Sequence, residues 1–178
     1  MFIILIVILL ELFITGCTEN SSYKNNFSFT TSEGKEAELS DYQGKIVIVD
    51  FWATWCSPCQ FQMLELKKIY ENYTRSQLEI ISINIDNGES IETINEFKDA
   101  FYQQLGIELD WVFGNDDGSI WQEYSLAAGG IPTLYIFDKN GNAHFSHEGV
   151  LFYNEIPEEW PSDQEPPETL KPKIDELL

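Results

Sequence analysis

The sequence predicts a single α/β domain in which helices flank a central mixed sheet. Three observations lead to this class. Two apolar, β-branched runs, residues 45–52 and 78–85, are each followed by an amphipathic helical pattern, at 58–73 and 91–105. Further along the chain, an Asn-Gly pair at 140–141 separates two more apolar runs, which is typical of a β-hairpin. Strands that alternate with helices and then close with a hairpin place parallel and antiparallel strands in one sheet.

The composition narrows the classes of protein to consider. The chain has 178 residues, of which 43% are hydrophobic, and this is enough for one core but short for two. Thirty acidic residues stand against ten basic ones, which gives a formal net charge of -20 at pH 7. Such a chain repels a nucleic-acid backbone, so we expect no nucleic-acid partner. The longest uninterrupted apolar run, residues 2–10, is too short to cross a bilayer, which excludes a multi-pass membrane protein.

The start of the chain is typical of an export signal followed by a tether. Residues 2–14 are apolar apart from Glu11 and resemble the hydrophobic region of a secretory signal. The Ile-Thr-Gly-Cys sequence that ends at Cys17 resembles the lipobox of bacterial lipoproteins, in which the cysteine becomes the lipidated first residue of the mature chain. A polar stretch follows at 18–26, which favours this interpretation over a core helix that ends at Gly16.

This resemblance implies three regions. Residues 1–16 form a signal peptide of the lipoprotein type, residues 17–26 form a tether, and residues 27–178 form the folded domain. The lipid on Cys17 then anchors the domain to the cell membrane, on its extracytoplasmic side.

Within the folded domain, each element is predicted from its apolar period and from flanking turn or capping residues. Ser90 precedes the second helical pattern and is a favourable N-cap. Residues 155–172 are acidic and rich in proline, so we expect them to form an irregular, solvated extension, and we expect residues 174–178 to finish a terminal helix. In chain order, the predicted elements are a leading hairpin (27–31 and 36–39), a central strand (45–52), a helix (58–73), a strand (78–85), a helix (91–105), a short strand (111–113), a short helix (119–126) and a closing hairpin (133–138 and 143–147).

A Cys-x-x-Cys pair, Cys56 and Cys59, lies where the central strand gives way to a helix. Structural zinc needs four ligands, but the two histidines, His144 and His147, lie on opposite faces of a predicted strand. Attachment of c-type haem needs a histidine directly after the second cysteine, and that residue is Gln60. An inert structural disulfide remains possible, although closing so small a loop removes little chain entropy. We therefore expect no metal and no cofactor.

The position of the pair favours redox chemistry. Unpaired N–H groups and the positive end of the dipole at a helix N-terminus stabilise a thiolate, so Cys56 is the predicted nucleophile. Pro58 fits the first helical turn, because a backbone N–H at that position would have no acceptor within the helix and proline lacks this group. Cys59, one turn further on, is predicted to be shielded. No basic residue lies between Lys45 and Lys67, so the helix terminus supplies most of the stabilisation.

Two segments resemble the thioredoxin superfamily. Residues 51–59, Phe-Trp-Ala-Thr-Trp-Cys-Ser-Pro-Cys, are similar to its active-site stretch, and residues 130–133, Gly-Ile-Pro-Thr, are similar to its cis-proline loop. The resemblance implies a thioredoxin fold in which Pro132 is cis and faces the dithiol. It also implies that the backbone of Ile131 pairs with the substrate chain.

Further site residues follow from the same resemblance. Asp50 matches the buried carboxylate that thioredoxins place beneath the second cysteine. Burial raises the pKa of a carboxyl group, which would suit Asp50 to carry the proton of Cys59. We expect Trp55 to contact substrate and Trp52 to shape the surface beside the dithiol.

One branch of the superfamily matches over residues 27–150. The leading hairpin, the lipobox and the additional helix and strand between Cys59 and Pro132 resemble the membrane-tethered TlpA/ResA-like thiol-disulfide oxidoreductases. Many of those proteins carry a glutamate and a proline where this chain has Gln62 and Leu64. Because an amide does not titrate, the specialised apocytochrome-reducing role is not carried over to this chain.

The resemblance implies an enzyme that exchanges disulfides with protein substrates. Ser57 and Pro58 between the cysteines, without the histidine of strongly oxidising relatives, favour a reductant. An extracytoplasmic reductant needs electrons from an integral-membrane thiol partner. Two alternatives stay open: a peroxidase of the peroxiredoxin branch, in which a threonine replaces Ala53, and a non-catalytic surface module with an inert disulfide.

Overall fold

The computed structural model describes residues 25–161 and 163–178. The predicted signal peptide at 1–16 and the predicted lipidation site Cys17 lie outside the described residues. Within the described part of the chain, no helix is both long and apolar enough to span a bilayer.

A seven-stranded mixed sheet, flanked by four α-helices, forms the described domain. Its strand order is β2-β1-β5-β4-β3-β6-β7. The strands are β1 (Ser28–Thr31), β2 (Glu36–Glu38), β3 (Ile46–Trp52), β4 (Leu78–Asn84), β5 (Val112–Asn115), β6 (Thr133–Phe137) and β7 (Ala143–Glu148), and the helices are α1 (Ser57–Asn72), α2 (Ile91–Leu105), α3 (Ser119–Tyr124) and α4 (Leu170–Asp175).

The predicted fold class is confirmed. β3 is central: it pairs in parallel with β4 and antiparallel with β6, and all seven of its residues are buried. β1 and β2 form the leading hairpin, and β6 and β7 form the closing one. Ser90 caps α2 by accepting a hydrogen bond from the Thr93 backbone N–H. The predicted elements other than the C-terminal helix agree with the structure to within a few residues.

The pleat of β3 divides the core between the two faces of the sheet. Ile48 and Trp52 belong to the core on the face covered by α1, α2 and α4. Val49 and Phe51 belong to the core on the opposite face, which includes Tyr124 of α3. Because side chains alternate along a strand, Asp50 lies on the α1 face with Ile48 and Trp52.

The C-terminal region differs from its prediction. The terminal helix spans Leu170–Asp175, so it begins inside the segment predicted to be irregular and ends before residue 178, and Leu170 and Ile174 are fully buried in the α1 core. The expectation of a solvated extension is therefore wrong at its end, because an apolar pair at i and i+4 gives this short helix a face to bury. Pro172 is tolerated because the first N–H groups of a helix have no intrahelical partner.

Two backbone hydrogen bonds attach this end of the chain to the segment that follows β7. The backbone N–H of Leu170 donates to Phe152 O at 3.0 Å, and that of Lys171 donates to Tyr153 O at 2.8 Å. The described residues between 155 and 168 contain no helix or strand, in agreement with their composition.

Candidate active site

Cys56 is the N-cap residue of α1. Its Sγ accepts a hydrogen bond from the Cys59 backbone N–H at 3.2 Å, and Pro58 occupies the first turn. The two cysteines form a disulfide with their Cα atoms 5.2 Å apart. When the bond is reduced, the same N–H and the helix terminus face the sulfur of Cys56, and both stabilise a thiolate.

The two sulfur-bearing residues differ in exposure. Cys59 is completely buried, whereas Cys56 is 4% exposed. Cys59 is therefore shielded, as its position one turn into the helix predicts, and Cys56 is the cysteine that an incoming disulfide can reach.

The loop before β6 lies against the dithiol. The Ile131–Pro132 peptide bond is cis. The carbonyl oxygen of Ile131 is 3.8 Å from Cys56 Sγ. On the other side of this loop, the Gly149 N–H donates to Pro132 O at 2.8 Å, which ties the loop to the chain after β7. Two segments 75 residues apart in sequence are thus brought into contact at the sulfur.

Asp50 is fully buried on the α1 face of β3. Burial raises its pKa from the ordinary value of 3.8 to about 7, and a hydrogen bond from Ser82 opposes this shift. Ser82 Oγ donates to Asp50 Oδ2 at 3.2 Å and accepts from Trp111 Nε1 at 2.9 Å. Sequence reasoning missed both partners, although Ser82 is a polar residue inside an otherwise apolar run on β4.

The two tryptophans beside the dithiol occupy different environments. Trp55 is 65% exposed, and its indole N–H donates to Asp86 at 2.7 Å. Trp52 is fully buried against Phe97 and Phe113. The expectation that Trp52 shapes the surface is wrong, because the pleat of β3 turns this side chain into the core beneath α2.

Glu89 fixes the turn that precedes the cysteine pair. Its carboxylate accepts hydrogen bonds from the Thr54 backbone N–H at 3.1 Å, from the Thr54 hydroxyl and from the Asn84 amide at 2.6 Å. The turn is therefore anchored to the end of β4. Nothing in the local sequence around the cysteines indicates this contact.

Gln62 joins α1 to the chain after β7. Its Nε2 donates to Leu151 O at 3.2 Å, and its Oε1 accepts from the Leu151 N–H at 2.8 Å. Three residues further along α1, Glu65 accepts from the Tyr153 N–H at 2.8 Å. These buried contacts hold the segment that passes the cis-proline loop against the helix that carries the dithiol.

Metal ligands are not brought together at this site. The described residues contain no group of three or more His, Cys, Asp or Glu side chains that could hold a metal ion. His144 lies 3.4 Å from Glu176, and His147 stacks on Phe145. Neither imidazole touches the dithiol.

A thioredoxin fold with a disulfide at a helix start and a cis-proline loop against it defines a thiol-disulfide oxidoreductase. The sequence comparisons agree with this class. A model of the AhpC/TSA family matches residues 24–145, and the chain belongs to that family.

Individual relatives with curated names are similar to this chain over most of its length. The chain is 31% identical over 131 residues to the thiol-disulfide oxidoreductase ResA of Geobacillus kaustophilus, an alignment that covers 74% of this chain and 70% of the relative. It is 30% identical over 132 residues to the thioredoxin-like protein YneN of Bacillus subtilis, with coverage of 74% and 72%.

Solved structures share the fold. A thiol:disulfide interchange protein DsbE from Chlorobium tepidum superposes with a TM-score of 0.59 at 24% identity, covering 71% of this chain and 82% of that one. The exposed lipoprotein thioredoxin of Streptococcus pneumoniae superposes with a TM-score of 0.56 at 25% identity, covering 71% and 91%.

Proposed function

We propose that this oxidoreductase reduces disulfides in protein substrates on the extracytoplasmic side of the membrane. The observation that carries the proposal is the position of Cys56, at the start of α1 and 3.8 Å from the Ile131 carbonyl of the cis-proline loop. A substrate strand that pairs with the backbone of Ile131 presents its disulfide directly to this sulfur.

The reaction begins with the dithiol form. The Cys56 thiolate attacks one substrate sulfur, the substrate S–S bond breaks, and a substrate thiolate leaves as a mixed disulfide forms. The Cys59 thiolate then attacks Cys56 Sγ, which releases the second substrate thiolate and forms the Cys56–Cys59 disulfide. Two electrons pass from the dithiol to the substrate, and the two released thiolates take up two protons.

Asp50 supplies a proton acceptor for the second step. Cys59 must lose its proton to become a nucleophile, and it is buried on the same face of the sheet as Asp50. A carboxyl group with a pKa of about 7 exchanges protons readily near neutral pH. In this proposal Asp50 accepts the Cys59 proton as the mixed disulfide is resolved.

Trp55 and the membrane anchor complete the proposal. The exposed indole of Trp55 offers an apolar contact beside Cys56 for the substrate chain. The lipobox-like sequence supports anchoring through a lipid on Cys17, and a relative in fold is described as an exposed lipoprotein thioredoxin. Regeneration of the dithiol then requires two electrons from an integral-membrane thiol protein.

The reduction potential of the cysteine pair tests the direction of the reaction. Equilibration with dithiothreitol and glutathione buffers, read by thiol alkylation, should give a value of about -270 mV, which is typical of a thioredoxin-like reductant. A value of about -120 mV would identify an oxidant instead. Turnover of insulin disulfides should accompany the low potential, and consumption of peroxide without insulin turnover would favour the peroxidase alternative.

A further inference from the structure

An apolar groove runs between α1 and the acidic segment that follows β7. It has a volume of about 480 Å³. Phe61 meets Phe152 edge to face with ring centroids 6.0 Å apart, and Phe152 meets Trp160 in the same manner at 6.3 Å. The apolar lining consists of Phe61, Leu64, Phe152, Ile156 and Pro157.

The segment that follows β7 leads from the cis-proline loop to the groove. Gly149, which donates to Pro132 O, begins the segment that leads to Phe152. Gln62 fastens this segment to α1 at Leu151. On the helix side, Phe61 is 43% exposed and lies on a face of α1 that points away from the buried Cys59, because residues two apart on a helix do not face each other. Gly149 and Phe152 are three residues apart, so a substrate chain bound at the cis-proline loop needs an extension of at most about 10 Å along this segment to reach the groove.

The edge of the groove is negatively charged. Glu155 and Glu158 line it, both are exposed, and neither has a hydrogen-bond or ion-pair partner within residues 25–161 and 163–178. The lysine that also lines the groove, Lys68, is paired with Glu65 at 2.6 Å, so its charge is already matched. A cationic occupant complements the two unpaired carboxylates.

We propose that this groove binds the substrate segment next to the scissile disulfide, and that preferred substrates carry apolar and cationic residues there. The inference rests on the proposed function and narrows its substrate class. The apolar lining provides contact area, and the free carboxylates select the sign of the charge. A second copy of this chain is a poor occupant, because two molecules that each carry a formal charge of -20 repel one another.

Two synthetic peptide disulfides of equal length provide the test. Both have a Leu-Phe core beside the disulfide, and they differ only in carrying two lysines or two glutamates. The full chain in its dithiol form should reduce one equivalent of the cationic peptide with a second-order rate constant roughly tenfold above that for the anionic peptide at low salt. This ratio should approach one in about 1 M salt, where charges are screened within a few ångströms.

Charge-reversal variants test whether the preference for the cationic peptide arises at the groove. The double variant Glu155→Lys/Glu158→Lys should invert or abolish the preference. The matched control Glu96→Lys/Glu123→Lys changes the net charge by the same amount at exposed positions on α2 and α3, and it should retain the preference. Equal loss in both double variants would overturn the groove and leave only an effect of overall charge.

Two further outcomes separate the inference from the function on which it rests. If the unaltered protein reduces the neutral compound bis(2-hydroxyethyl) disulfide but treats both peptides alike, the groove proposal fails and the proposed function stands. If it reduces none of the three disulfides, the proposed function fails. A dimer in sedimentation equilibrium that dissociates in the groove variant would assign the groove to a second copy and overturn the proposal.

Discussion

Ser82 lies directly opposite Asp50 in the β3–β4 register and donates a hydrogen bond to its carboxylate. The indole N–H of Trp111 can only donate, and it donates to Ser82 Oγ. The hydroxyl proton of Ser82 is therefore directed to Asp50 Oδ2. Oδ1 has no hydrogen-bond partner among the described residues, so it is the oxygen that holds the proton when Asp50 is neutral.

Removing the hydroxyl should raise the pKa of Asp50. In Ser82→Ala the carboxylate loses the donor that stabilises its charged form, and Trp111 loses its acceptor. We expect the rate of mixed-disulfide resolution to reach its plateau at a higher pH than in the unaltered protein. The buried unpaired groups should also cost roughly 1–3 kcal/mol of stability. Ser82→Thr keeps the hydroxyl and should restore the pH profile; an unchanged profile in Ser82→Ala would contradict this role.

Asp50 should make the disulfide form less stable as the pH rises. The folded pKa of about 7 lies above the ordinary 3.8, so the folded state binds more protons than the unfolded state between these values. The free energy of unfolding should fall by about 4 kcal/mol across this window and level off above pH 7. Denaturant titrations of Asp50→Asn should lack this slope. The exposed control Asp99→Asn should keep it, and parallel curves for Asp50→Asn and the unaltered protein would refute the prediction.

Gln62 should be intolerant of a charge. In Gln62→Glu a carboxylate oxygen replaces the N–H donor to Leu151 O, so two acceptors face each other in a buried site. We expect a loss of roughly 1–3 kcal/mol at neutral pH. The loss should shrink in acid, because burial raises the pKa of the new carboxyl group and its protonated form can donate. Urea unfolding of Gln62→Glu and of the exposed control Gln122→Glu, at neutral and at acidic pH, measures the difference. Equal stability of the two variants would contradict a structural role for the hydrogen bonds between Gln62 and Leu151.

The C-terminal helix should contribute to the stability of the whole domain. Ile174 is fully buried in the α1 core, so Ile174→Ala should lower the free energy of unfolding by about 3 kcal/mol. Leu178→Ala, four residues later and 49% exposed, should cost less than about 1 kcal/mol. A negligible effect of Ile174→Ala on the midpoint of urea unfolding would mean that α4 does not belong to the core.

Local sequence patterns predicted most of the fold. The β-branched run of β3 and the apolar period of α1 depend only on neighbours in the chain, and both elements were found at the predicted positions. The orientation of Trp52 was missed because the sequence alone does not show which face of the sheet an aromatic residue at the end of a strand points to. The role of Gln62 depends on Leu151, 89 residues away, which no local pattern encodes.

Of the candidate site, the residues within the Cys-x-x-Cys segment were predicted, whereas most contacts between segments distant in sequence were not. The start of α1 and the position of Cys56 follow from the motif and its proline. The contact of Asp50 with Ser82 could not be predicted without the register of β3 and β4. The contact of Ser82 with Trp111 could not be predicted without the packing of these two residues, which are far apart in the sequence. The terminal helix was predicted, but its start at Leu170 was missed, because Leu170 lies at the end of a long acidic, proline-rich stretch.

Trapping of the mixed disulfide tests the central claim most directly. In a Cys17→Ser background, the reduced Cys59→Ser variant should form a covalent adduct with insulin, because Cys56 attacks and no second thiol resolves the product. Intact-mass analysis and peptide mapping should place the adduct on Cys56, and the Cys56→Ser variant should form none. An adduct of equal yield on Cys59 in Cys56→Ser, or no adduct with either variant, would contradict the account.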